Sequence, residues 1–153
     1  MTDFVSRFLE LIPNPVVITN EEGEILQINR EFCKVSGFEE DELLGQTLSL
    51  LKSGNMPEAQ YRDLWQSIKA SQVWRGQFIN RRKDGSIYRV DATIGPADSE
   101  PAKPRRYIGI FTDVTEKERI KNVLSLQANL LGELSQRIPG LIFQLQRFPN
   151  GRA

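Results

Sequence analysis

The 153-residue chain predicts an α+β fold: a five-stranded antiparallel sheet with short helices over one face. Three observations carry that expectation. Two strand patterns come first, then a series of short helix patterns, then three more strand patterns. Residues 73–90 read as a β-hairpin, because Lys83-Asp84-Gly85 places an Asp-Gly turn between two alternating runs. A chain of this length can bury roughly 70% of its unfolded surface, so one core suffices without metal or disulfide.

The elements follow in order. Residues 1–12 hold an N-terminal amphipathic helix, with Phe4, Val5, Phe8, Leu9 and Ile12 at helical spacing and Pro13 and Pro15 as its stop. Residues 13–114 form the core domain. Within it, residues 16–19 and 24–29 are strands around a turn with Gly23. Asn29 caps a short helix through Ser36 that turns Phe32, Val35 and Phe38 inward. The run EEDELLG is a further short helix with Gly45 at its C-terminal end. Residues 56–71 hold the longest core helix: Pro57 suits its first turn, Glu58 the positive end of its dipole, and Tyr61, Leu64, Trp65 and Ile68 form one stripe.

Beyond the Asp-Gly turn, Tyr88, Val90, Ala92 and Ile94 alternate with polar neighbours. Residues 97–106 are a loop, and YIGIFTDV is a last strand apolar enough to be central. Residues 115–137 form a linker helix, opened by a capping box with Thr115 at N-cap and Glu118 at N3 and ended before Pro139. Ile120, Leu124, Leu131, Leu134 and Ile138 fit a seam that either packs on its own domain or pairs as a parallel coiled coil. Residues 138–153 echo the start of the core, Ile-Pro-x followed by an apolar run and a Gly turn. They read as the first strand of a second, truncated domain.

Composition narrows the function. Lys plus Arg equals Asp plus Glu, 20 each, so no overall field favours nucleic acid or an anionic membrane. No apolar run approaches a membrane span. The single Cys33 cannot form an internal disulfide, which fits a reducing, cytoplasmic setting. Histidine is absent, which removes His-ligated haem, most zinc sites and the commonest general base. No phosphate loop, metal cluster or nucleophile–base set appears, so the chain is not expected to be an enzyme.

The candidate site lies on the hairpin. Trp74, Gly76 and Phe78 share one strand face, and period two puts Asn80 on it as well. A buried amide needs a partner: a ligand with adjacent donors and acceptors, the backbone, or ordered water. Trp65 and Trp74 offer flat apolar surface to a ring system or simply close the helix–sheet interface. Gly76 permits close approach of a ligand or marks a bulge. Phe32, turned inward, completes the set. Arg81, Arg82 and Lys83 read as solvated turn residues.

These stretches resemble the PAS sensory domains over about residues 5 to 118. The likeness rests on ITNEEGEILQINREFCKVSGFEEDELLGQ, on NRRKDGSIYRV and on the closing GIFTDVTEKE. The section from Ser53 to Gly85 is most similar to the FAD-binding branch found in aerotaxis receptors and nitrogen-fixation redox regulators. The resemblance implies that Trp65, Trp74 and Asn80 matter for FAD and that the module senses redox state. It also implies a larger signalling protein, with a histidine kinase or diguanylate cyclase following the linker helix. A homodimer through the N-terminal and linker helices is expected. A cofactor-free dimerisation module and a small-metabolite sensor are the alternatives. Light-oxygen-voltage domains form a cysteinyl–flavin adduct, but Leu48 stands near where their cysteine would be and Cys33 lies on the preceding helix. Adduct photochemistry is therefore not expected. Asp113 and Thr115 match the D-x-T that ends many PAS domains.

Overall fold

The structure is a computed structural model that describes residues 2–98 and 105–137. Its elements are α1 (Thr2–Leu11), β1 (Val16–Thr19), β2 (Ile25–Ile28), α2 (Arg30–Ser36), α3 (Glu40–Leu43), a 3-10 turn (Leu48–Leu51), α4 (Glu58–Lys69), β3 (Trp74–Arg81), β4 (Ile87–Pro96), β5 (Tyr107–Asp113) and α5 (Thr115–Arg137). The sheet order is β2-β1-β5-β4-β3, and every neighbouring pair is antiparallel. The expected α+β architecture is therefore observed, with the apolar β5 at its centre. The second-domain strand expected over residues 138–153 lies outside the described residues.

Alternation decides which face is core. In β4, Tyr88, Val90, Ala92 and Ile94 are buried while Ile87, Asp91 and Thr93 are exposed, as period two requires. The buried face meets Phe32 from α2, Leu43 from α3, Leu51 from the 3-10 turn, and Leu64 and Ile68 from α4. Gly23 adopts φ +82°, and a Cβ there would sit 3.1 Å from the Trp65 ring, so glycine serves both the turn and the packing.

Asn29 holds the N-terminal half together. It is 1% exposed, and its Oδ1 accepts from the N–H groups of Val16 (3.0 Å) and Phe32 (3.1 Å). Its Nδ2 donates to the carbonyls of Asn14 (2.8 Å), Leu9 (3.1 Å) and Ile12 (3.4 Å). One amide thus caps α2, starts β1 and closes the end of α1. Two further bonds hold α1: Arg30 N–H to Glu10, and Gln27 to Ser6.

Several local expectations need correction. Of the apolar row on α1, only Leu9 is buried (2% exposed), whereas Phe4 and Phe8 are 73% and 56% exposed. Pro57 precedes α4 as its N-cap instead of lying in its first turn. Thr115 is the first residue of α5, and its hydroxyl accepts from the Arg89 N–H and donates to Asp113. The 3-10 turn was not anticipated. Within α5, Ile120, Leu124, Leu131 and Leu134 are exposed, and no helix among the described residues is long and apolar enough to cross a membrane.

Asn29→Ala removes the side-chain acceptor of two N–H groups and a donor to three carbonyls, of which Leu9 keeps the Ile12 N–H, and should destabilise the protein by about 3 kcal/mol. Urea unfolding followed by tryptophan fluorescence measures it. Asn29→Asp keeps the acceptor but turns a carboxylate oxygen toward the carbonyls of α1 and its exit, so it should not rescue stability.

Candidate functional site

A cavity of about 120 Å³ lies between the inner face of β3, β4 and β5 and the layer formed by α2, the 3-10 turn and α4. Its body is aromatic and apolar, with Phe32, Trp65, Phe78 and Phe111 among the walls. Phe32 meets Phe111 edge to face at 6.0 Å, and Tyr61 stacks on Phe78 at 5.7 Å. One part is polar: Asn80, Tyr88 and Ser36 line it, together with Ser49 and Lys52.

The hairpin register builds the polar part. Asn80 pairs directly with Tyr88, and Phe78 with Val90. On its other side the Asn80 backbone forms a β-bridge with Lys52, and the Ser53 hydroxyl donates to the Ile79 carbonyl at 2.6 Å. The outer edge of β3 is therefore covered at the point where Asn80 needs to be fixed. Lys52 is exposed and places its ammonium 4.2 Å over the Tyr61 ring.

The Tyr88 phenol stands beside the Asn80 amide, directly across the hairpin. Burial pushes that phenol up to about 12, while its bond with Asn80 and the nearby Arg82 charge pull the other way. Tyr88 is only 2% exposed. A single phenol hydroxyl cannot use both the carbonyl and the NH₂ of an amide, so Asn80 keeps capacity toward the cavity.

Phe32, Trp65 and Asn80 therefore come together on the cavity. Trp74 and Gly76 do not line it. The Trp74 indole N–H donates to Asp63 at 3.0 Å, and its ring folds over Gly76, where a Cβ would come within 2.5 Å of it. The space left by Gly76 is filled by Trp74. Trp65, half-buried, faces two ways: it lines the cavity and also an outer cleft with Lys69, Arg105 and Tyr107.

Sequence reasoning missed Tyr88, Ser36, Tyr61 and Lys52 as lining residues. Counting register outward from the Asp84-Gly85 turn would have set Tyr88 against Asn80. The basic run is also more engaged than a solvated turn. Arg82 donates to the Val35 carbonyl at 2.6 Å, and Lys83 bonds both carboxylate oxygens of Glu42 at 2.8 and 2.9 Å. Asp113 is held below the usual carboxylate range: burial works against its ionisation, but bonds from Thr115 and the Arg82 charge outweigh it.

A pocketed antiparallel sheet, roofed by short helices and continued by a helix from its last strand, defines the class of small sensory domains. The chain belongs to the PAS family, since the family model described as the PAS fold matches residues 3–114. It is 31% identical over 123 residues to a nitrogen fixation regulatory protein of Klebsiella oxytoca. It is 33% identical over 120 residues to an aerotaxis receptor of Escherichia coli (strain K12). Each match covers 78% of this chain but only 25% and 24% of those proteins, so the chain spans about a quarter of their length. Among solved structures, an RNA-binding light-oxygen-voltage receptor superposes with TM-score 0.71 at 18% identity, over 87% of this chain and 38% of that one. The light-oxygen-voltage domain of a blue-light activated histidine kinase from Erythrobacter litoralis gives 0.64 at 20% identity, over 68% and 98%. These two likenesses show the fold alone. In this chain Leu48 lines the cavity and Cys33 does not. Burial, with Glu40, Glu39 and Glu10 nearby, raises the Cys33 thiol above its ordinary value.

Tyr88 gives this site a pH signature. An unfolded tyrosine ionises near 10, so between about 10 and about 12 the folded chain keeps a proton that the unfolded chain has lost. Stability should therefore fall as pH rises through that window. Urea midpoints at about pH 9 and about pH 11 should differ less in Tyr88→Phe than in the parent.

Proposed function

We propose that this PAS domain is the sensory module of a larger signalling protein and holds FAD between its sheet and its helices. The observation that carries this reading is the polar end of an otherwise apolar, largely aromatic cavity, where the Asn80 amide stands beside the buried Tyr88 phenol. The FAD-binding branch that the sequence resembles, through Trp65 and Asn80, supports it.

The lining chemistry fits a flavin. Phe32, Phe78 and Trp65 present apolar faces to a flat ring, Asn80 offers both a donor and an acceptor to its edge, and the Tyr88 hydroxyl adds a second polar contact. Bound FAD supplies a ring whose edge gains or loses a proton with redox state. Asn80 and Tyr88 are the groups placed to register that exchange of donor for acceptor. The free volume, about 120 Å³, is close to that of a cavity that holds a benzene ring. Seating a tricyclic ring therefore calls for half-buried Tyr61 and exposed Lys52 to move outward. Trp74, turned toward Asp63 and against Phe78, serves the packing between β3 and α4 in this reading.

That volume favours a second reading, a sensor of a smaller aromatic metabolite. In both readings a cytoplasmic homodimer through the exposed apolar faces of α1 and α5, with an output domain beyond α5, completes the module.

An absorption spectrum of the freshly purified, concentrated protein, with chromatography of any chromophore released by heat, tests the choice. Flavin bands identified as FAD are expected, and Asn80→Ala should weaken FAD binding about tenfold through loss of a hydrogen bond in a dry site. A folded protein that is colourless and stays so after incubation with FAD overturns the flavin reading and leaves the metabolite one.

A further inference from the structure

We propose that Arg82 is a positioning residue that couples the polar end of the cavity to the start of α5. It is the first residue after β3, and three groups hold its guanidinium. Its Nη1 donates to the Val35 carbonyl in α2 at 2.6 Å. Its plane lies over the Tyr88 ring, 4.4 Å from the centroid. Its Nη2 meets Asp113 Oδ2 at 3.4 Å. Two of these partners, Val35 and Tyr88, line the cavity. The third, Asp113, accepts through its other oxygen from the N–H (3.0 Å) and hydroxyl (2.5 Å) of Thr115, where α5 begins.

Rigidity makes the coupling possible. A guanidinium is a planar fork with donors in fixed directions, so it cannot follow the Tyr88 ring without changing its reach to Asp113. The contact with Val35 is short and the one with Asp113 long, so Asp113 is the contact that yields when Tyr88 tilts. An occupant that engages Asn80 or Tyr88 thereby alters how firmly Asp113 holds the Thr115 amide. Lysine, a point charge on a flexible stem, would not transmit the tilt. The coupling depends on contact with the polar end and not on which molecule makes it, so its test is separate from the test for flavin.

A rival route exists through the backbone. Arg89, next to Tyr88 in β4, donates its N–H to the Thr115 hydroxyl at 2.8 Å and accepts from the Val114 N–H at 2.9 Å. A double-mutant cycle separates the two routes. Hydrogen exchange of the Thr115 amide is measured in the 153-residue chain, in Tyr88→Leu, in Arg82→Met and in the double variant, with the Val17 and Gly109 amides as core controls. Tyr88→Leu should speed Thr115 exchange, relative to the controls, about fivefold in the parent and less than about twofold in the Arg82→Met background. Arg82→Lys should behave as Arg82→Met. An effect of Tyr88→Leu that is equal in both backgrounds overturns the proposal in favour of the β4 route, and an effect absent in the parent overturns it outright. Should Tyr88→Leu fail to fold, Asn80→Ala takes its place with the same two outcomes.

Discussion

One buried amide sets the frame in which everything else works. Asn29 accepts from the first N–H of β1 and from the first turn of α2, while its NH₂ faces the carbonyls that end α1. A charged group could not serve both, since a carboxylate has no donor and an ammonium no acceptor. Fixing β1 fixes β5, because Val17 pairs with Gly109 at the centre of the sheet. Fixing α2 places Phe32 and Val35 over that sheet. The distance between the two walls of the cavity is thus set from outside the cavity, by a residue that does not line it.

The second constraint is that short helices cannot cover a twisted five-stranded sheet without leaving space. The chain fills most of it with aromatic rings, and the hairpin then supplies polar groups at one end. Asn80 faces Tyr88 across the hairpin, so the polar end of the cavity carries an amide beside a buried phenol. The same hairpin carries Arg82, which contacts the cavity-lining Val35 and Tyr88 and reaches Asp113 beside the first residue of α5. Cavity-lining groups and a contact to the start of α5 therefore sit a few residues apart on one ribbon.

Much of this was legible in the sequence, and the failures have definite causes. The strands and hairpin were readable because period-two alternation and an Asp-Gly turn are local signals. Asn80 was readable as inward for the same reason. Tyr88 was not assigned as its partner, because that step needs a pairing register in addition to a period. Trp74 and Gly76 were correctly placed on one face, yet the indole's own direction, over Gly76 and toward Asp63, depends on a rotamer that spacing does not specify. Periodicity grouped the apolar residues of α1 but could not say that Leu9 alone would be buried. Leu48–Leu51 carry no capping signal, so the 3-10 turn was silent. The basic run looked like solvated turn chemistry because the reach of an arginine is decided by what folds beside it.

The proposed ligand contact falls on Asn80 and not on Asn29, the other inward-facing amide. The side-chain NH₂ resonances of the two asparagines in an ¹⁵N-labelled sample measure this directly during titration with FAD. The Asn80 pair should shift and saturate with the flavin while the Asn29 pair stays in place. FAD that binds without moving the Asn80 resonances, or that moves those of Asn29 instead, would contradict the account.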